Sequence, residues 1–527
     1  MKKKDRKLSN LNIIRGVETS GSISEFARLK GIPRKTMSDW YRDALKATED
    51  STARTYVLTC AQIETDVHEG FLRNLEVYCR EMNAELLVSG FTYNTSNLRA
   101  KGVKEDQWSY DKSIRGYLSN KRRELNSNVV WLGDMNTLPT ATSPLSGFKT
   151  HTGSKSGVFP HPRISMESVA TRQGHLAKTL MTTGCVTLPN YIQKKAGIKA
   201  EFHHSLGAVI VEVSDDQVFH LRHIHADSEG NFYDLTDKFE AGVHTTGHRI
   251  EAITCGDIHR EKLDPVVAQA TWGLGIDGYE SEKYNILDTL KPKAQFFHDL
   301  SDFQPRNHHN RSNASWMFNE YHNGKYTVES ALRECAEFLV DSSREFCKSY
   351  VVCSNHDTAF EKWLNEADYK EDPENALFFL ECQPLRYGAM PQGRQLDIFG
   401  YVLGKFMSQI NTETVLSPRV HFLGIDESCV IKGIEMGQHG HLGVNGSRNS
   451  KSLSQIGVKC NIAHAHSPSI VEGLYTAGVS GKLQMGYNLG PSGWSHAHIL
   501  VYPNGQRTVL TLIQGKYTNR KITEAKV

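Results

Sequence analysis

The 527-residue sequence lacks three features that would each define a large class of proteins. Its ten cysteines include no Cys-x-x-Cys pair, which argues against a zinc ribbon or a disulfide framework and is typical of reduced thiols. No stretch approaches the roughly 20 apolar residues of a membrane-spanning helix. The basic start MKKKDRKLSN is not followed by the apolar segment of a secretory signal. We therefore expect a cytoplasmic protein without a membrane span.

The charge of the chain is unevenly distributed. The composition, with 39% hydrophobic and 23% charged residues, is that of a globular protein, and the length predicts about two to four domains. Residues 1–50 carry 12 Lys and Arg against 7 Asp and Glu, whereas the remainder carries 49 against 52. An excess of cations in residues 1–50 of a chain that is otherwise near neutral predicts a polyanionic partner for these residues, although a solubilising tail would have the same composition.

Two short helices are predicted near the amino end, in the stretch SISEFARLKGIPRKTMSDWYRDAL. Gly31-Ile32-Pro33 separates them, because glycine and proline both interrupt helices. A helix, a glycine-containing turn and a basic second helix indicate a homeodomain-like helix-turn-helix in residues 1–50. A small helical module that docks another protein has the same pattern. If the module binds DNA, the contacting residues lie on the second helix: Arg34, Lys35, Ser38 and Arg42.

The rest of the chain is expected to form α/β structure in two parts. Residues 55–245 contain a β-α-β pattern and predict an accessory domain, in which no motif assigns a role. Residues 250–515 alternate strands with helices and carry polar residues directly after the strands, which predicts a layered α/β domain with a site at the strand ends. Residues 516–527 have the composition of a basic C-terminal tail.

Aspartate, histidine and asparagine recur after the predicted strands of residues 250–515. Ligands of this kind, without cysteine, suit Mn²⁺, Fe²⁺ or Zn²⁺ better than a structural thiolate site. Seven of the residues in this series, from five loops, are candidate ligands. Seven ligands are too many for one ion and suit two ions that share a carboxylate. The series consists of Asp257 and His259, Asp299 and Asp302, Asn355 with His356 and Asp357, His439 and His441, and His464 and His466.

The order of these motifs resembles the signature of the calcineurin-like metallophosphoesterases, which runs D-x-H, GDxxD, GNHD, H and GHxH. The resemblance covers about residues 250–510, half of the chain. It implies a metallophosphoesterase-type layered α/β sandwich, preceded by the small all-α helix-turn-helix and the extra α/β region. His298, Ser354 and Ala463 replace the glycine of three motifs. The change at His298 leaves both Asp299 and Asp302 as candidates for the bridging ligand, and position within the motif favours Asp299.

The resemblance also implies a role for each residue of the series. One ion would be held by Asp257, His259 and His466, the other by Asn355, His439 and His464, with Asp299 bridging both. His356, beside a ligating asparagine, would give a proton to the leaving oxygen. Two divalent ions are implied, Mn²⁺ first, with Fe²⁺, Zn²⁺ or Mg²⁺ as alternatives.

Further residues near the motifs are candidates for contact with the substrate or with a metal ligand. Asp302 would hydrogen-bond a ligand. The segment PRNHHNRSN would be a cationic lip for a phosphate backbone, although a solvated loop has the same composition. The full set of these candidates is Asp302, Arg306, His308, His309, Asp357, His441 and Arg448.

A metallophosphoesterase core behind a basic helix-turn-helix predicts a metal-dependent phosphodiesterase that acts on DNA. Repair nucleases of the SbcD type share this core, and the whole arrangement also resembles phage pre-early proteins for DNA transfer and host-DNA degradation, which act in the host cytoplasm. Four alternatives stay open: a nucleotide phosphatase or a protein phosphatase with docking helices, an RNase, and a DNA-binding regulator with an inactive core. A homo-oligomer is compatible with the sequence, because related nucleases dimerise.

Overall fold

The structure is a computed structural model that describes residues 8–48, 54–93, 109–307, 310, 313–324, 327–392, 396–410 and 419–527. The chain divides into two compact units. The first unit comprises residues 1–248, 469–472 and 502–526, and the second comprises residues 249–468, 473–501 and 527. The described part of the chain contains no helix that is both long and apolar enough to span a membrane.

The α-helices of the described residues are, in chain order, α1 (Asn10–Ser20), α2 (Ile23–Leu29), α3 (Arg34–Thr48), α4 (Glu69–Glu81), α5 (Lys195–Phe202), α6 (Pro265–Trp272), α7 (Ile286–Leu290), α8 (Ala314–His322), α9 (Val328–Asp341), α10 (Thr358–Glu366), α11 (Pro373–Ala389) and α12 (Ile398–Ile410).

The strands are β1 (Arg54–Gln62), β2 (Ala84–Phe91), β3 (Arg122–Glu124), β4 (Val129–Leu132), β5 (Ser156–Phe159), β6 (Met166–Val169), β7 (Lys178–Thr182), β8 (Gly207–Val213), β9 (Phe219–His225), β10 (Phe232–Asp234), β11 (Asp237–Glu240), β12 (Val243–Thr245), β13 (Ala252–Thr254), β14 (Ala294–Phe297), β15 (Lys348–Val352), β16 (Val420–Leu423), β17 (Val430–Ile431), β18 (Ile434–Glu435), β19 (Lys459–Ile462), β20 (Ser469–Val471), β21 (Leu474–Thr476), β22 (Ala497–Val501) and β23 (Arg507–Thr511).

In the first unit, the amino-terminal helices share one hydrophobic core with the α/β region that follows them. Phe26 and Met37 are fully buried in the same cluster as Phe71 of α4. Hydrogen bonds tie α1 to β2, because Ser9 Oγ donates to the Ala84 carbonyl and Asn12 Oδ1 accepts from the Leu86 amide. The boundary that we predicted at residue 50 therefore does not separate two cores. The short helices bury their apolar faces on the neighbouring sheet instead of on one another alone.

Three groups of paired strands form the sheets of the first unit. Their orders are β2-β1-β8-β9, β10-β11-β12 and β20-β6-β7-β5-β4-β3. Pairing is parallel between β1 and β2, whereas β8 runs antiparallel to both β1 and β9.

The predicted basic C-terminal tail, residues 516–527, is held in place by buried ion pairs. The Arg520 guanidinium is largely buried in the first unit and contacts Asp234 at 2.7 Å, Asp237 at 3.0 Å and Glu212 at 3.3 Å. Arg222 pairs with two of the same carboxylates, at 2.5 Å from Asp234 and 2.6 Å from Glu212. The tail is held because these buried carboxylates require cationic partners.

The second unit contains two sheets. In the first, β16-β15-β14-β13 are parallel neighbours and β22 runs antiparallel to β13. Thr254 lies opposite Phe296, which lies opposite Tyr350, so the carboxyl ends of these strands meet at one edge. The second sheet has the order β17-β18-β19-β21. The strands β17 and β18 form a hairpin.

One core joins the two sheets of the second unit. It contains Phe296 and Val352 from one sheet and Ile434 from the other. On the opposite face of the first sheet, the ring of Phe297 contacts Phe338 of α9, which in turn contacts Trp272 of α6. The α/β class is therefore confirmed, and the layered architecture places the strand ends, with the polar residues that follow them, along one edge.

Candidate metal centre

The candidate ligands come from loops that follow strands of both sheets in the second unit. Asp257 and Asp299 each lie three residues beyond a pair of neighbouring strand residues, Thr254 and Phe296. Asn355 follows β15, His439 follows β18, and His464 and His466 follow β19. Because parallel strands end at the same edge of a sheet, these loops lie next to one another.

Among the described residues, three groups of side chains bring potential ligand atoms within 4.8 Å of one another, and two of them consist of residues predicted as ligands. The first of these two contains Asp257, His259, Asp299 and His466, and the second contains Asp299, His439 and His464. The remaining group consists of His259, Asp302 and His356. Asp299 belongs to both of the first two groups. These two groups contain the residues for which we predicted metal binding, apart from Asn355.

In the first group, the histidine nitrogens and the carboxylate oxygens lie close together and face a common point. His259 Nε2 lies 3.1 Å from His466 Nε2 and 3.8 Å from Asp299 Oδ2. His466 Nε2 lies 3.0 Å from Asp257 Oδ2. The Asp257 side chain is fully buried, and its close polar neighbours include His466 Nε2 and, at 3.8 Å from Oδ1, His439 Nδ1. A buried carboxylate is costly unless it is paired, and a cation beside it removes that cost.

The second group is organised around His439. His439 Nε2 lies 3.3 Å from Asp299 Oδ2 and 3.1 Å from Asn355 Oδ1. The asparagine oxygen therefore lies beside this group, and its role as a ligand, which the resemblance implies, stays a prediction. Carboxylate, imidazole and amide donors are ligands for Mn²⁺, Fe²⁺ and Zn²⁺. The side chains of both groups thus fit divalent cations, and their role as metal ligands stays a prediction.

The backbone at four of these residues adopts the left-handed conformation. The φ angles are 45° at His259, 43° at Asp299, 67° at His464 and 55° at His466. Residues other than glycine rarely adopt this conformation, which costs of order 1 kcal/mol each and concentrates at functional sites. The loops therefore contain an unfavourable backbone conformation at these four residues, and this conformation turns their side chains toward one another.

Asp299 and His439 shift each other's pKa within the pocket. Burial alone would lower the pKa of His439, but the Asp299 carboxylate, by its charge and hydrogen bond, and the charge of Asp257 raise this pKa to about 9. Burial would likewise raise the pKa of Asp299, yet the charges of His439 and His356 leave it well below its ordinary value. The pocket therefore stabilises positive charge, which a bound cation would also supply.

Asp302 has a different position from Asp299. Its Oδ1 lies 3.0 Å from His259 Nδ1, the nitrogen that faces away from the ligand group, and its Oδ2 lies 3.3 Å from Lys262 Nζ. A carboxylate at Nδ1 keeps the proton on that nitrogen and leaves a lone pair on Nε2. Of the two candidates for the bridging position, Asp299 is the one between the groups, and Asp302 orients His259.

His356 and Asp357 are adjacent in sequence but differ in their surroundings. His356 is partly exposed beside the ligand groups, with Nδ1 at 3.2 Å from the Asp302 carbonyl oxygen. Asp357 is buried and accepts hydrogen bonds from the amide of Ser301 at 3.0 Å and the hydroxyl of Ser354 at 2.8 Å. Burial, followed by the charge of Asp299, raises the pKa of Asp357 to about 7. Asp357 thus holds the loop after β14 in place.

The remaining predicted residues lie along or near a cavity. This cavity of about 1250 Å³ is lined by His441, Arg448 and Arg306, and also by Asn355 and His464. Arg306 does not form the cationic lip that we predicted, because its largely buried guanidinium is engaged by both carboxylate oxygens of Asp372. His308 and His309 lie outside the described residues.

His298 and Trp494 are contacts that sequence reasoning did not identify. The buried ring of His298 stacks on His439 with centroids 5.5 Å apart, and its Nδ1 lies 3.4 Å from His439 Nδ1. The ring of Trp494 lies 4.2 Å from that of His466. The only signal in the sequence was that His298 stands where the resembling family has glycine. His498, another buried histidine of this unit, contacts Thr271 instead of the ligand groups.

The predicted DNA-contacting residues are in the first unit. Arg34, Lys35, Ser38 and Arg42 of α3 are all exposed. Arg42 forms an exposed ion pair with Asp39 at 2.7 Å, and Gly31, with φ 62°, makes the turn between α2 and α3. Contact with DNA stays a prediction.

Fold and site define a mixed α/β protein with a buried aspartate and histidine cluster that could hold a metal ion. The chain is 39% identical over 499 residues to Protein A1 of Escherichia phage T5, a match that covers 92% of this chain and 85% of that protein. The chain therefore belongs to the family of Protein A1. No family model matches the chain, and no solved structure matches it. The phage relative agrees with the predicted similarity to phage proteins, and membership of the metallophosphoesterases stays a prediction.

Proposed function

We propose that the protein is a metal-dependent phosphodiesterase that hydrolyses DNA. The observation that carries the proposal is the position of Asp299, whose carboxylate belongs to both ligand groups. Two divalent ions that share a carboxylate supply charge neutralisation for a phosphodiester and a water acidic enough to give hydroxide near neutral pH. The order of the five strand-end motifs, which resembles that of the calcineurin-like metallophosphoesterases, supports the same chemistry.

The residues around the ligands have distinct tasks in this mechanism. Asp302 keeps the proton on His259 Nδ1, so that Nε2 offers its lone pair to the site. His356 donates from Nδ1 to the Asp302 carbonyl, which leaves Nε2 to give a proton to the leaving oxygen. Without a bound cation, the charges of Asp299 and Asp302 outweigh burial and raise the pKa of His356.

DNA is the proposed substrate because the basic residues of α3 are exposed and the amino-terminal 50 residues carry an excess of cations. The cavity beside the ligands supplies little attraction of its own. Its wall carries three cations, Arg306, Lys362 and Arg448, against five acidic residues. A polyanion would therefore be retained by basic surfaces elsewhere on the chain and would reach the ligands through this cavity.

The same acidic wall favours a second candidate function. A nucleotide or protein phosphatase needs to admit only one phosphate group, and a cavity with more carboxylates than cations would disfavour a long polyanion. In this case the amino-terminal helices would dock a protein partner. The two candidates differ in whether the substrate is a diester polymer or a monoester.

Purified protein incubated with plasmid DNA, single-stranded DNA, RNA and p-nitrophenyl phosphate esters, in Mn²⁺ or in EDTA, separates the candidates. We expect Mn²⁺-dependent cleavage of DNA that Asp299→Ala abolishes. Asp277→Ala, which removes an exposed carboxylate of the same unit, should retain full activity. Turnover of a monoester without cleavage of any polynucleotide would exclude the nuclease and favour the phosphatase.

His356→Gln tests the assigned proton donor. We expect metal content equal to that of the unsubstituted protein and a turnover rate lower by about 10²- to 10⁴-fold, the usual contribution of a general acid. Metal bound per chain and turnover are measured on the same preparation. Loss of metal in parallel with activity would show that His356 serves the ligand groups instead.

A further inference from the structure

A second cavity, far from the ligand groups in sequence, lies in the first unit. Its volume is about 770 Å³. It is formed by α1, by Leu45 near the end of α3, and by the segment from Leu118 to Arg123. Five cations and only two carboxylates line it: Arg15, Arg54, Lys121, Arg122 and Arg123, with Glu18 and Glu85. An excess of positive charge around a concave surface attracts anions.

Two of these arginines are held in fixed positions. Glu85 is buried and accepts from Arg15 at 3.1 Å and from Arg123 at 2.7 Å, so one carboxylate serves two guanidinium groups. Arg123 also lies over the ring of Tyr56, 5.1 Å from its centroid. The Nε of Arg15 is buried and has no hydrogen-bond partner among the described residues. The pair therefore keeps a net positive charge, with side chains that need little further ordering to meet an anion.

The other three cations are exposed at the rim. Arg54, Lys121 and Arg122 form no ion pair with a carboxylate of the described residues. Glu124, the closest carboxylate along the chain, pairs with Lys155 at 2.7 Å. Cations without partners on one rim repel one another, and an anionic ligand relieves that repulsion.

The exposed face of α3 that carries Lys35 and Arg42 ends at this cavity, and Arg42 on this face is paired with Asp39 at 2.7 Å. Lys35, Ser38, Arg42 and Leu45 follow one another at intervals of three, four and three residues, which places them on one face of the helix. Lys35, Ser38 and Arg42 are exposed, and Leu45, at 39% exposure, lines the cavity. From Lys35 to Leu45 the helix advances about 15 Å. A phosphate backbone that lies along this face would continue into the cavity.

We propose that this cavity binds the phosphate backbone of DNA that lies along α3, so that the first unit holds DNA on two adjoining basic surfaces. The inference rests on the DNA partner of the proposed function but not on hydrolysis. The rim cations contact phosphates without reading bases, and binding there is independent of sequence and sensitive to salt. The cavity in the first unit would also attract a polyanion, whereas the acidic wall beside the candidate metal ligands would not.

The test is the salt dependence of DNA binding by the full chain in EDTA, where metal-dependent cleavage does not interfere. The variant Lys121→Gln/Arg122→Gln removes two rim cations that are exposed and unpaired among the described residues. The control Lys194→Gln/Lys195→Gln removes two adjacent exposed cations elsewhere in the first unit. A short fluorescein-labelled DNA duplex is titrated with each protein at several salt concentrations.

We expect the rim variant to bind about 10-fold more weakly at moderate salt and to lower the slope of log K against log salt by about two, one for each lost phosphate contact. The control should match the unsubstituted protein. Equal slopes for the rim variant and the control would overturn the inference. Weakened binding of a mononucleotide without any effect on the duplex would also overturn it, because the cavity would then be a nucleotide site.

Cleavage assays in Mn²⁺ separate this inference from the proposed function. If the protein cleaves DNA but the rim variant has an unchanged salt slope, the cavity is excluded as a DNA site and the proposed nuclease activity stands. A reduced slope without cleavage of DNA in any metal would keep the cavity and remove the nuclease.

Discussion

His259 Nε2 and His466 Nε2 lie 3.1 Å apart, although 207 positions separate the two residues in the chain. Imidazole nitrogens at this distance must share a proton or face a common cation, because two lone pairs otherwise repel each other. Asp302 at His259 Nδ1 keeps the proton on the far side of that ring. The pair of histidines, with Asp257 and Asp299 beside them, forms a buried cluster that could hold a metal ion.

Asp299 and Asp302 should differ in their effect on metal binding. Asp299→Ala removes a ligand from both groups, and we expect it to abolish tight binding of Mn²⁺. Asp302→Asn leaves the ligands in place but loosens His259, so its affinity should fall by about 10- to 100-fold. Metal bound per chain after dialysis and the Mn²⁺-dependent rise in the unfolding temperature measure both effects. Equal losses in the two variants would contradict the assignment of Asp299 to the shared position.

His298 should act as a positioning residue for His439. Its Nδ1 faces His439 Nδ1 at 3.4 Å, so a proton on that nitrogen of His439 leaves Nε2 unprotonated for a metal ion. We expect His298→Ala to weaken Mn²⁺ binding by about 10-fold. His421→Ala, at an exposed position of β16, is the matched control. Calorimetric titration with Mn²⁺ measures the affinity, and an unchanged value for His298→Ala would reduce its role to packing.

Arg520 should stabilise the first unit far more than its neighbour Lys521. Arg520→Leu leaves Asp234, Asp237 and Glu212 with one arginine fewer in a buried network, and we expect a loss of about 3 to 5 kcal/mol in the free energy of unfolding. Lys521 is exposed, and Lys521→Leu should change that free energy by no more than about 0.5 kcal/mol. Urea denaturation of both variants gives the comparison. Similar midpoints would show that the last residues are held by other contacts.

Acidification should destabilise the first unit through buried neutral histidines. Burial lowers the pKa of His161, His204 and His223 to about 4. Below pH 6.5 the unfolded chain takes up protons that these folded side chains cannot accept, so the stability present at pH 7 is lost as the pH falls. The expected loss between pH 7 and pH 5 is about 2 kcal/mol for each histidine.

His223→Gln isolates one of these contributions. Glutamine can still donate to the Thr182 carbonyl, which His223 Nε2 meets at 2.7 Å, but it does not titrate. We expect the difference in unfolding free energy between pH 7 and pH 5, measured in EDTA, to shrink by about 2 kcal/mol in this variant. A difference as large as that of the unsubstituted protein would place the acid sensitivity at other groups.

Much of the second unit could be predicted from local patterns. The alternation of strands and helices that we predicted over residues 250–515 includes α9 and α10, because apolar periodicity and capping residues such as Thr327 are local signals. The hairpin of β17 and β18 consists of two very short strands, which such patterns do not resolve. In the first unit, the pattern of two helices indicated a module ending at residue 50, but Phe26 and Met37 share a core with the α/β region.

The sequence by itself determined which residues stand at the strand ends, since an aspartate or histidine after a buried strand is a local pattern. It also determined the donor chemistry of the candidate site and the basic character of α3. Only the tertiary structure decided that Asp299 is shared by two ligand groups while Asp302 contacts the far nitrogen of His259. These assignments depend on left-handed turns and on two sheets packed over one core, which bring together side chains from distant parts of the chain. Spacing along the sequence does not encode such distances.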